Sequence, residues 1–247
     1  MSVLLMTVWL TGCVQEEFES TPSPAGNGIR FTLTVPDVNL PSVSSRTMTG
    51  TGTAKKEDEI ETVDILVFDM SKTPAVFLEW VSATGVTQDL ADNSTVSFSA
   101  VLSPTTASTC IVVVANKELD NIVSGFTKGA TNKVEAMEKM LHTQTGKWLA
   151  DGSTTGGYTR IPMYGEKVIS KITPSMNPIT EINMKRMLAR IDIRNNSATS
   201  NFTVEEVYLA NHNTTGYIAP AWNTNGQVTD PVPDTPVLPA GSGKMTE

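Results

Sequence analysis

The chain has 247 residues, of which 18 are Lys or Arg and 26 are Asp or Glu, so its formal net charge is −8. Aromatic residues make up 6% of it, while Thr, Ser, Asn and Gly are abundant. An acidic chain without clusters of Lys and Arg lacks the positive surface that binding to nucleic acid requires. The length is enough for one large domain or two ordinary ones.

An apolar run begins at Met1 and ends at Leu10-Thr11-Gly12-Cys13. It is too short to span a bilayer as a helix, but it has the length of the apolar core of a secretory signal. Because a cysteine follows the small residues, the site resembles the lipobox of bacterial lipoproteins, which predicts a signal peptide over 1–12 and lipidation of Cys13. No Lys or Arg precedes the run, so we expect the true start to lie upstream of Met1. The alternative is an ordinary signal peptide, or a buried strand, with a cysteine there by chance.

Residues 13–27 are acidic and then rich in Ser, Pro and Gly, which is typical of a flexible tether. After the tether, apolar and polar residues alternate, and this alternation predicts a half-buried strand. The apolar positions of that strand are Ile29, Phe31, Leu33 and Val35. Pro36 ends it, and a stretch over 41–53 rich in Ser, Thr and Gly predicts an exposed loop with Arg46 in its middle.

Further strands are predicted wherever apolar runs or alternation recur between turn residues. They are Val63–Asp69, Val76–Val81, Val96–Leu102, Cys110–Ala115, Met187–Arg194 and Phe202–Leu209. The continuous apolar run of Cys110–Ala115 predicts a strand that is covered on both faces. One helix is predicted from Asn132 to Leu141, because Asn132 can cap it while Glu135 reaches back to the cap. Many short strands, with a helix in one connection, predict a mainly β chain folded as a β-sandwich.

Residues that could carry catalysis are few. His142 and His212 lie in no recognisable metal-ligand spacing. Cys110 lies in an apolar strand where a thiolate would be disfavoured, so we expect a buried, unreactive thiol without a disulfide partner. Asp64 and Asp69 are expected to be solvated carboxylates at the ends of a strand. The sequence therefore predicts that the chain is not an enzyme and binds no metal or cofactor.

Several segments follow one another in a set order over about residues 10 to 211. They are the lipobox cysteine, the first strand, the loop Ser45-Arg46-Thr47, the strand Ile65–Asp69, the strand ending in Ala115-Asn116, a Pro-Met turn at 161–166 and a Lys-Arg-x-x-Ala-Arg strand at 184–191. Taken together, they resemble the FimA-type fimbrillins, which are subunits of the type V pili of anaerobic Gram-negative bacteria.

The resemblance implies a transthyretin-like β-sandwich over 28–182 with one inserted helix, followed by the start of an incomplete second β domain over 183–247. In that family a lipoprotein precursor reaches the outer membrane, and an Arg-specific protease cuts in the loop after the first strand. A strand from another subunit then fills the groove. For this chain the resemblance implies cleavage between Arg46 and Thr47, and we expect a fragment or a short accessory member.

Exchange of the first strand would have a large energetic effect. Its four apolar residues would each contribute about 1.5–3 kcal/mol on burial, or roughly 6–12 kcal/mol together before entropy is subtracted. Two alternatives stay open, namely that the strand is a permanent edge of the sandwich and that Arg46 is an ordinary exposed arginine.

A rival function is that of a monomeric surface lipoprotein, either a pilus anchor or a glycan-binding module. A glycan binder would present an exposed aromatic platform, for which Trp80, Trp148 and Trp222 are candidates, although Trp80 is better suited to the core. The resemblance favours a subunit of a cell-surface fimbria that supports adhesion. Its partners would be other fimbrial subunits, an Arg-specific protease and, through the lipid, the outer membrane.

Overall fold

The computed structural model describes residues 29–34, 59–88, 95–145, 159–188, 203–229 and 237–245. Within these ranges the chain is mainly β. The strands are β1 (Ile29–Thr34), β2 (Val63–Asp69), β3 (Val76–Ser82), β4 (Thr84–Gln88), β5 (Thr95–Ala100), β6 (Thr109–Ala115), β7 (Leu141–Thr143), β8 (Met163–Ile169), β9 (Ile179–Asn183), β10 (Lys185–Arg186), β11 (His212–Asn213), β12 (Thr215–Tyr217) and β13 (Lys244–Met245), and the helices are α1 (Asp120–Val123) and α2 (Lys133–Lys139).

Most of the strands lie in two sheets. A four-stranded sheet has the order β4-β5-β1-β9, and a five-stranded sheet has the order β10-β8-β6-β2-β3. Every pairing within them is antiparallel except that of β1 with β9, which is parallel. Two short ladders join β7 to β12 and β11 to β13.

The two sheets pack face to face over a shared apolar core. The alternation of β1 and β5 turns one set of side chains towards this core, as the period of two in a strand requires. Its members from the four-stranded sheet are Ile29, Phe31, Leu33, Val96, Phe98, Ala100, Ile179 and Ile182, and those from β2 and β6 are Val63, Ile65, Val67, Ile111, Val113 and Ala115.

A second core lies on the other face of the five-stranded sheet. Leu66 and Phe68 of β2, together with Val112 and Val114 of β6, point into it, and α2 covers them. Because both faces of these strands are covered, each contains a continuous apolar run, Ile65–Phe68 in β2 and Cys110–Ala115 in β6, rather than an alternating pattern. All seven residues of β6 are buried, which confirms the prediction of a fully covered strand there.

The predicted helix is confirmed at its beginning. The side chain of Asn132 accepts a hydrogen bond from the Glu135 backbone N–H at 3.0 Å, and the Glu135 carboxylate accepts one from the Asn132 N–H at 3.2 Å. This is the expected capping box. The helix ends at Lys139 because Leu141 already belongs to β7. The four-residue helix α1 was not predicted, since a single turn carries no apolar period.

Three sequence predictions need correction. The prediction of a strand at Phe202–Leu209 is wrong for the described residues 203–209, which form no strand; Tyr208 is 67% exposed, and no described strand lies beside the segment to form a ladder. The predicted turn at 161–166 is wrong from Met163 onward, where β8 begins. In the predicted strand Met187–Arg194, the first two residues are not in a strand and 189–194 lie outside the described ranges.

The predicted boundary between domains, after Ile182, falls inside β9. The next strand, β10, pairs with β8 and so also belongs to the five-stranded sheet. The division of the chain into two domains stays a prediction.

Gly165 in β8 allows a close approach of the segment that joins β9 to β10. A Cβ added there would lie 2.7 Å from Sδ of Met184 and 2.9 Å from Cγ2 of Ile182. We expect Gly165→Ala to lower the free energy of unfolding by about 1–3 kcal/mol, as overpacking does. Gly125→Ala is the control, because its Cβ would meet only the Ile122 carbonyl at 3.6 Å. Urea unfolding of both variants tests this, and equal midpoints would contradict it.

Candidate strand-exchange site

The first strand, β1, occupies an inner position of the four-stranded sheet. Its six residues pair in unbroken antiparallel register with β5, from Ile29 opposite Ala100 to Thr34 opposite Thr95. On its other side it pairs with β9. Because both sides of β1 have partners, β1 is an inner strand and not an edge strand of the sandwich.

The ladder between β1 and β9 is irregular. Phe31 lies opposite Ile179 and Leu33 opposite Ile182, so β9 carries one extra residue between the two pairs. Glu181, within this bulge, has φ of 61°, in the left-handed region that non-glycine residues rarely adopt. The bulge separates the two buried isoleucines by three positions, and for this reason alternation along the sequence gave no signal for β9.

One face of β1 is fully enclosed. Ile29, Phe31 and Leu33 are 5%, 1% and 0% exposed, while Thr34, on the other face, is exposed. The rings of Phe31 and Phe98 stack with their centroids 5.0 Å apart and their planes 6° from parallel. Burial of the three apolar side chains contributes about 1.5–3 kcal/mol each, or roughly 4.5–9 kcal/mol as an upper estimate.

Five predicted residues fall outside the described ranges, namely Cys13, Val35, Arg46, Thr47 and Trp148. Their predicted roles stay predictions. The structure therefore brings together three of the four predicted apolar residues of the exchanged strand. Phe98, Ile179 and Ile182 lie in the same core as these three side chains and line the groove that β1 occupies.

The two tryptophans within the described ranges pack against the second core. Nε1 of Trp80 donates a hydrogen bond to Oδ1 of Asp64 at 3.1 Å. Trp222 meets the ring of Tyr217 edge-on, with centroids 4.9 Å apart. Trp80 thus packs against the core, in line with the prediction, and both tryptophan side chains are half-buried.

Asp64 is not the solvated carboxylate that the sequence predicted. It is 7% exposed, and its Oδ1 also accepts a hydrogen bond from Oγ of Ser82 at 2.6 Å. Burial raises the pKa of the Asp64 carboxyl, an effect that these hydrogen bonds oppose. At the far end of β2, the Ser71 backbone N–H donates to Asp69 at 2.8 Å and lowers the pKa of Asp69. Burial raises the pKa of Cys110 to about 11, so it stays an unreactive thiol, as predicted.

The pKa shifts of Asp64 and Asp69 have opposite signs, so they predict opposite effects of pH on the free energy of unfolding. The pKa of Asp64 is higher in the folded protein than the value of about 3.9 for an unfolded Asp, so protonated Asp64 stabilises the fold at low pH. This contribution is lost as the pH rises from about 3.9 through the native pKa. With a lowered native pKa, Asp69 contributes stability that is lost as the pH falls below about 3.9. Replacement by Asn abolishes each effect. We expect the free-energy differences between wild type and Asp64→Asn, and between wild type and Asp69→Asn, to change with pH in opposite directions. Urea unfolding from pH 3 to 7 measures both, and slopes of the same sign would contradict the assignment.

A partly buried ion pair lies on the face of the five-stranded sheet that is turned away from β1, and the Glu166 side chain in it is 20% exposed. Nζ of Lys133, whose side chain is 2% exposed, lies 2.7 Å from Oε2 of Glu166. The Tyr164 hydroxyl donates to the same oxygen at 2.6 Å, and the Val228 N–H donates to Oε1 at 3.4 Å. Sequence reasoning missed this pair, because a lysine in the first turn of a short helix is ordinarily solvated.

Other kinds of site are not found in the part of the chain that the structure describes. No group of three or more His, Cys, Asp or Glu side chains there could hold a metal ion. No helix within the described ranges has the length and apolar character needed to cross a membrane.

Comparison with known proteins identifies a family. The sequence profile of the family described as Major fimbrial subunit protein (FimA) matches residues 29–186, which run from β1 through β10. No curated protein matches the chain. Among solved structures, a fimbrial assembly protein from Parabacteroides distasonis is 11% identical, covers 79% of this chain and 68% of its own, and has a TM-score of 0.37.

A second solved structure, of a protein from Bacteroides thetaiotaomicron provisionally assigned to polysaccharide binding, is 12% identical. The match covers 89% of this chain and 71% of that one, with a TM-score of 0.38. Likeness this weak establishes nothing about function, whereas the sequence profile covers well over half of the chain. Proteins of the matched family are structural subunits of fimbriae and not enzymes. The chain belongs to the FimA major fimbrial subunit family.

Proposed function

We propose that the chain is a structural subunit of a surface fimbria that is exported as a lipoprotein, cut by an Arg-specific protease and assembled by strand exchange. The lipid is attached to Cys13, and the cut lies between Arg46 and Thr47. The observation that supports this best is the position of β1, which is an inner strand with an enclosed apolar face. The same proposal includes three further points. The sandwich is of the transthyretin-like class, the lipoprotein is located in the outer membrane, and the fimbria supports adhesion.

A single cut would make β1 replaceable. In the sequence, residues 35–58 join β1 to the rest of the described sandwich, and the proposed lipidation site Cys13 lies on the amino-terminal side of β1. Cleavage within 35–58 therefore converts an intramolecular strand into a bound peptide, which loses the effective concentration of a tethered segment. The same cut separates the lipid from the sandwich, so release from the membrane and opening of the groove are coupled.

The described arginines are poor protease sites. Arg30 and Arg186 lie in β1 and β10, where ladder hydrogen bonds hold the backbone. Arg160 makes ion pairs of 2.8 and 3.2 Å with two glutamates. Two further arginines follow Arg186 in the sequence, where a cut would leave β1 attached. Arg46 lies in a stretch rich in Ser, Thr and Gly, the composition at which nicking concentrates.

Departure of β1 would leave a groove suited to another strand. It would leave the backbone groups of β5 and β9 that face β1 without partners and uncover Phe98, Ile179 and Ile182. An added strand supplies both the ladder hydrogen bonds and the alternating side chains that such a groove needs. A strand of another fimbrial subunit is the proposed occupant.

The processing step is tested with purified full-length precursor and an Arg-specific protease. We expect a new amino terminus at Thr47, followed by polymers visible by gel filtration and electron microscopy. Arg46→Lys is the matched control, because it keeps the charge and removes the cleavage site, and it should stay intact and monomeric. A monomer after complete cleavage would contradict the proposal and favour the rival monomeric surface lipoprotein.

The lipid is tested separately. Cys13→Ala should abolish labelling by a palmitate analogue and release the protein from membranes. Cys110→Ala, at the other cysteine of the chain, should label as the wild type does. Unchanged labelling of Cys13→Ala would overturn the assignment.

A further inference from the structure

We infer that the groove occupied by β1 selects a donor strand with an aromatic side chain at its central buried position, and that Phe98 is the residue that makes this selection. The inference rests on the proposed strand exchange and adds to it the chemistry of the partner strand. It depends on three features of the groove, namely the ring of Phe98, the residues on either side of it and the two unequal ladders.

Phe98 presents a flat surface at the middle of the groove. Phe31 lies directly opposite it in the ladder, and the two rings are parallel within 6° at 5.0 Å between centroids. Both residues are almost completely buried, at 1% and 3% exposure. At this centroid distance two parallel rings are offset, which is one of the arrangements that aromatic pairs favour, and a branched aliphatic side chain cannot stack on Phe98 in this way. The dispersion contacts that it fails to make with the buried ring are lost.

The neighbouring buried positions of β1 hold aliphatic residues. Ile29 lies opposite the small Ala100, and Leu33 lies opposite Val96. An aromatic side chain is therefore stacked at only one of the three buried positions of β1. A donor strand shifted by two residues along the groove would still turn its apolar face inward, but its aromatic ring would no longer lie opposite Phe98. The position of the ring therefore defines the register of the donor strand in the groove.

The two ladders decide which neighbour sets that register. The ladder with β5 runs through six consecutive pairs without interruption, whereas the bulge at Glu181 interrupts the ladder with β9. A donor that uses both ladders as they stand runs antiparallel to β5 and parallel to β9. Phe98 lies on β5, so the regular ladder and the selecting ring act on the same side of the donor.

The test uses the full chain, nicked within 35–58 by an Arg-specific protease or at an inserted site for a different protease, so that the result does not depend on Arg46. Fluorescent peptides with the sequence of residues 28–35 then compete with the bound fragment. One peptide is unchanged, one carries Phe31→Ala, and one carries Phe31→Leu with Leu33→Phe. The last has the same composition and differs only in the position of the ring. Anisotropy and native mass spectrometry measure the exchange.

We expect the unchanged peptide to replace the fragment. The Phe31→Ala peptide should bind at least about 100-fold more weakly, the cost of truncating a buried Phe. The peptide with the shifted ring should bind about tenfold more weakly, the value of a lost aromatic pair. In protein that carries Phe98→Leu, the difference between the unchanged and shifted peptides should fall to about twofold, because the two substitutions remove the same contact.

Equal binding of the unchanged and shifted peptides to wild-type protein would overturn the selection by Phe98 while leaving strand exchange intact. Failure of every peptide to enter, even after the fragment has been removed in denaturant and the protein refolded with peptide, would overturn strand exchange itself. The comparison in wild-type protein decides the inference even if Phe98→Leu fails to fold.

Discussion

A chain that begins at Thr47, and therefore lacks β1, should fail to form a stable fold by itself. The loss removes roughly 4.5–9 kcal/mol of apolar burial contributed by Ile29, Phe31 and Leu33. A domain of ordinary stability has only about 5–15 kcal/mol in total. The four-stranded sheet would also separate into the pair β4–β5 and an isolated β9, because β1 is the strand that joins them.

Near-ultraviolet circular dichroism and urea unfolding measure this effect. We expect the shortened chain to lack a cooperative transition, and a peptide with the sequence of residues 28–35 to restore one. Thr34→Ala in the full chain is the control, since Thr34 is exposed on the outer face of β1 and its replacement should change stability by less than about 0.5 kcal/mol. A shortened chain that unfolds cooperatively at the wild-type midpoint would show that β1 is dispensable.

Breaking the ion pair between Lys133 and Glu166 should cause the second-largest loss of stability. Lys133→Met leaves the Glu166 carboxylate with its Tyr164 and Val228 donors but without a counter-charge, and Glu166→Gln leaves a buried ammonium group in contact with a neutral amide. Removing one partner of a fully buried pair costs about 3–5 kcal/mol, chiefly because the other charge stays desolvated, and the 20% exposure of the Glu166 side chain places this pair at or below the lower end of that range. Each single variant is expected to lose stability of this order.

The double variant distinguishes an ion pair from two separate packing effects. In Lys133→Met with Glu166→Gln, no unpaired charge is left, so the loss should be clearly smaller than the sum of the two single losses. Lys167→Met is the control, because Lys167 pairs with the exposed Glu181 at 3.7 Å and its loss should cost less than about 1 kcal/mol. Urea unfolding at neutral pH measures all four variants, and strictly additive losses would contradict the interpretation.

The ion pair also connects the segment matched by the family profile to residues that follow it. Val228 donates its N–H to Glu166, and Ile218 and Ala219 enter the second core. β12 pairs with β7 beside them. The face of the five-stranded sheet turned away from β1 is therefore covered partly by residues beyond 186, although β1 and its groove lie wholly within the matched segment.

The sequence alone determined the elements whose pattern is local and regular. The alternation from Ile29 to Leu33 predicted β1, the continuous apolar run at β6 predicted a strand covered on both faces, and the capping box at Asn132 predicted the start of α2. In each case the period or the cap lies within one short segment, so no distant residue was needed to recognise it. The order of such segments was also sufficient to predict the family.

Tertiary structure decided what depends on partners distant in the sequence. The place of β1 between β5 and β9 follows from pairings to residues more than 60 and 140 positions away. The segment 203–209 has a strand-like sequence but no strand among the described residues to pair with it, and it forms none. Asp64 and Lys133 are of residue types that usually lie at the surface. In this protein they are buried and form hydrogen bonds with Trp80, Ser82 and Glu166. Burial and pairing are properties of two segments at once, and for that reason neither can be deduced from one of them alone.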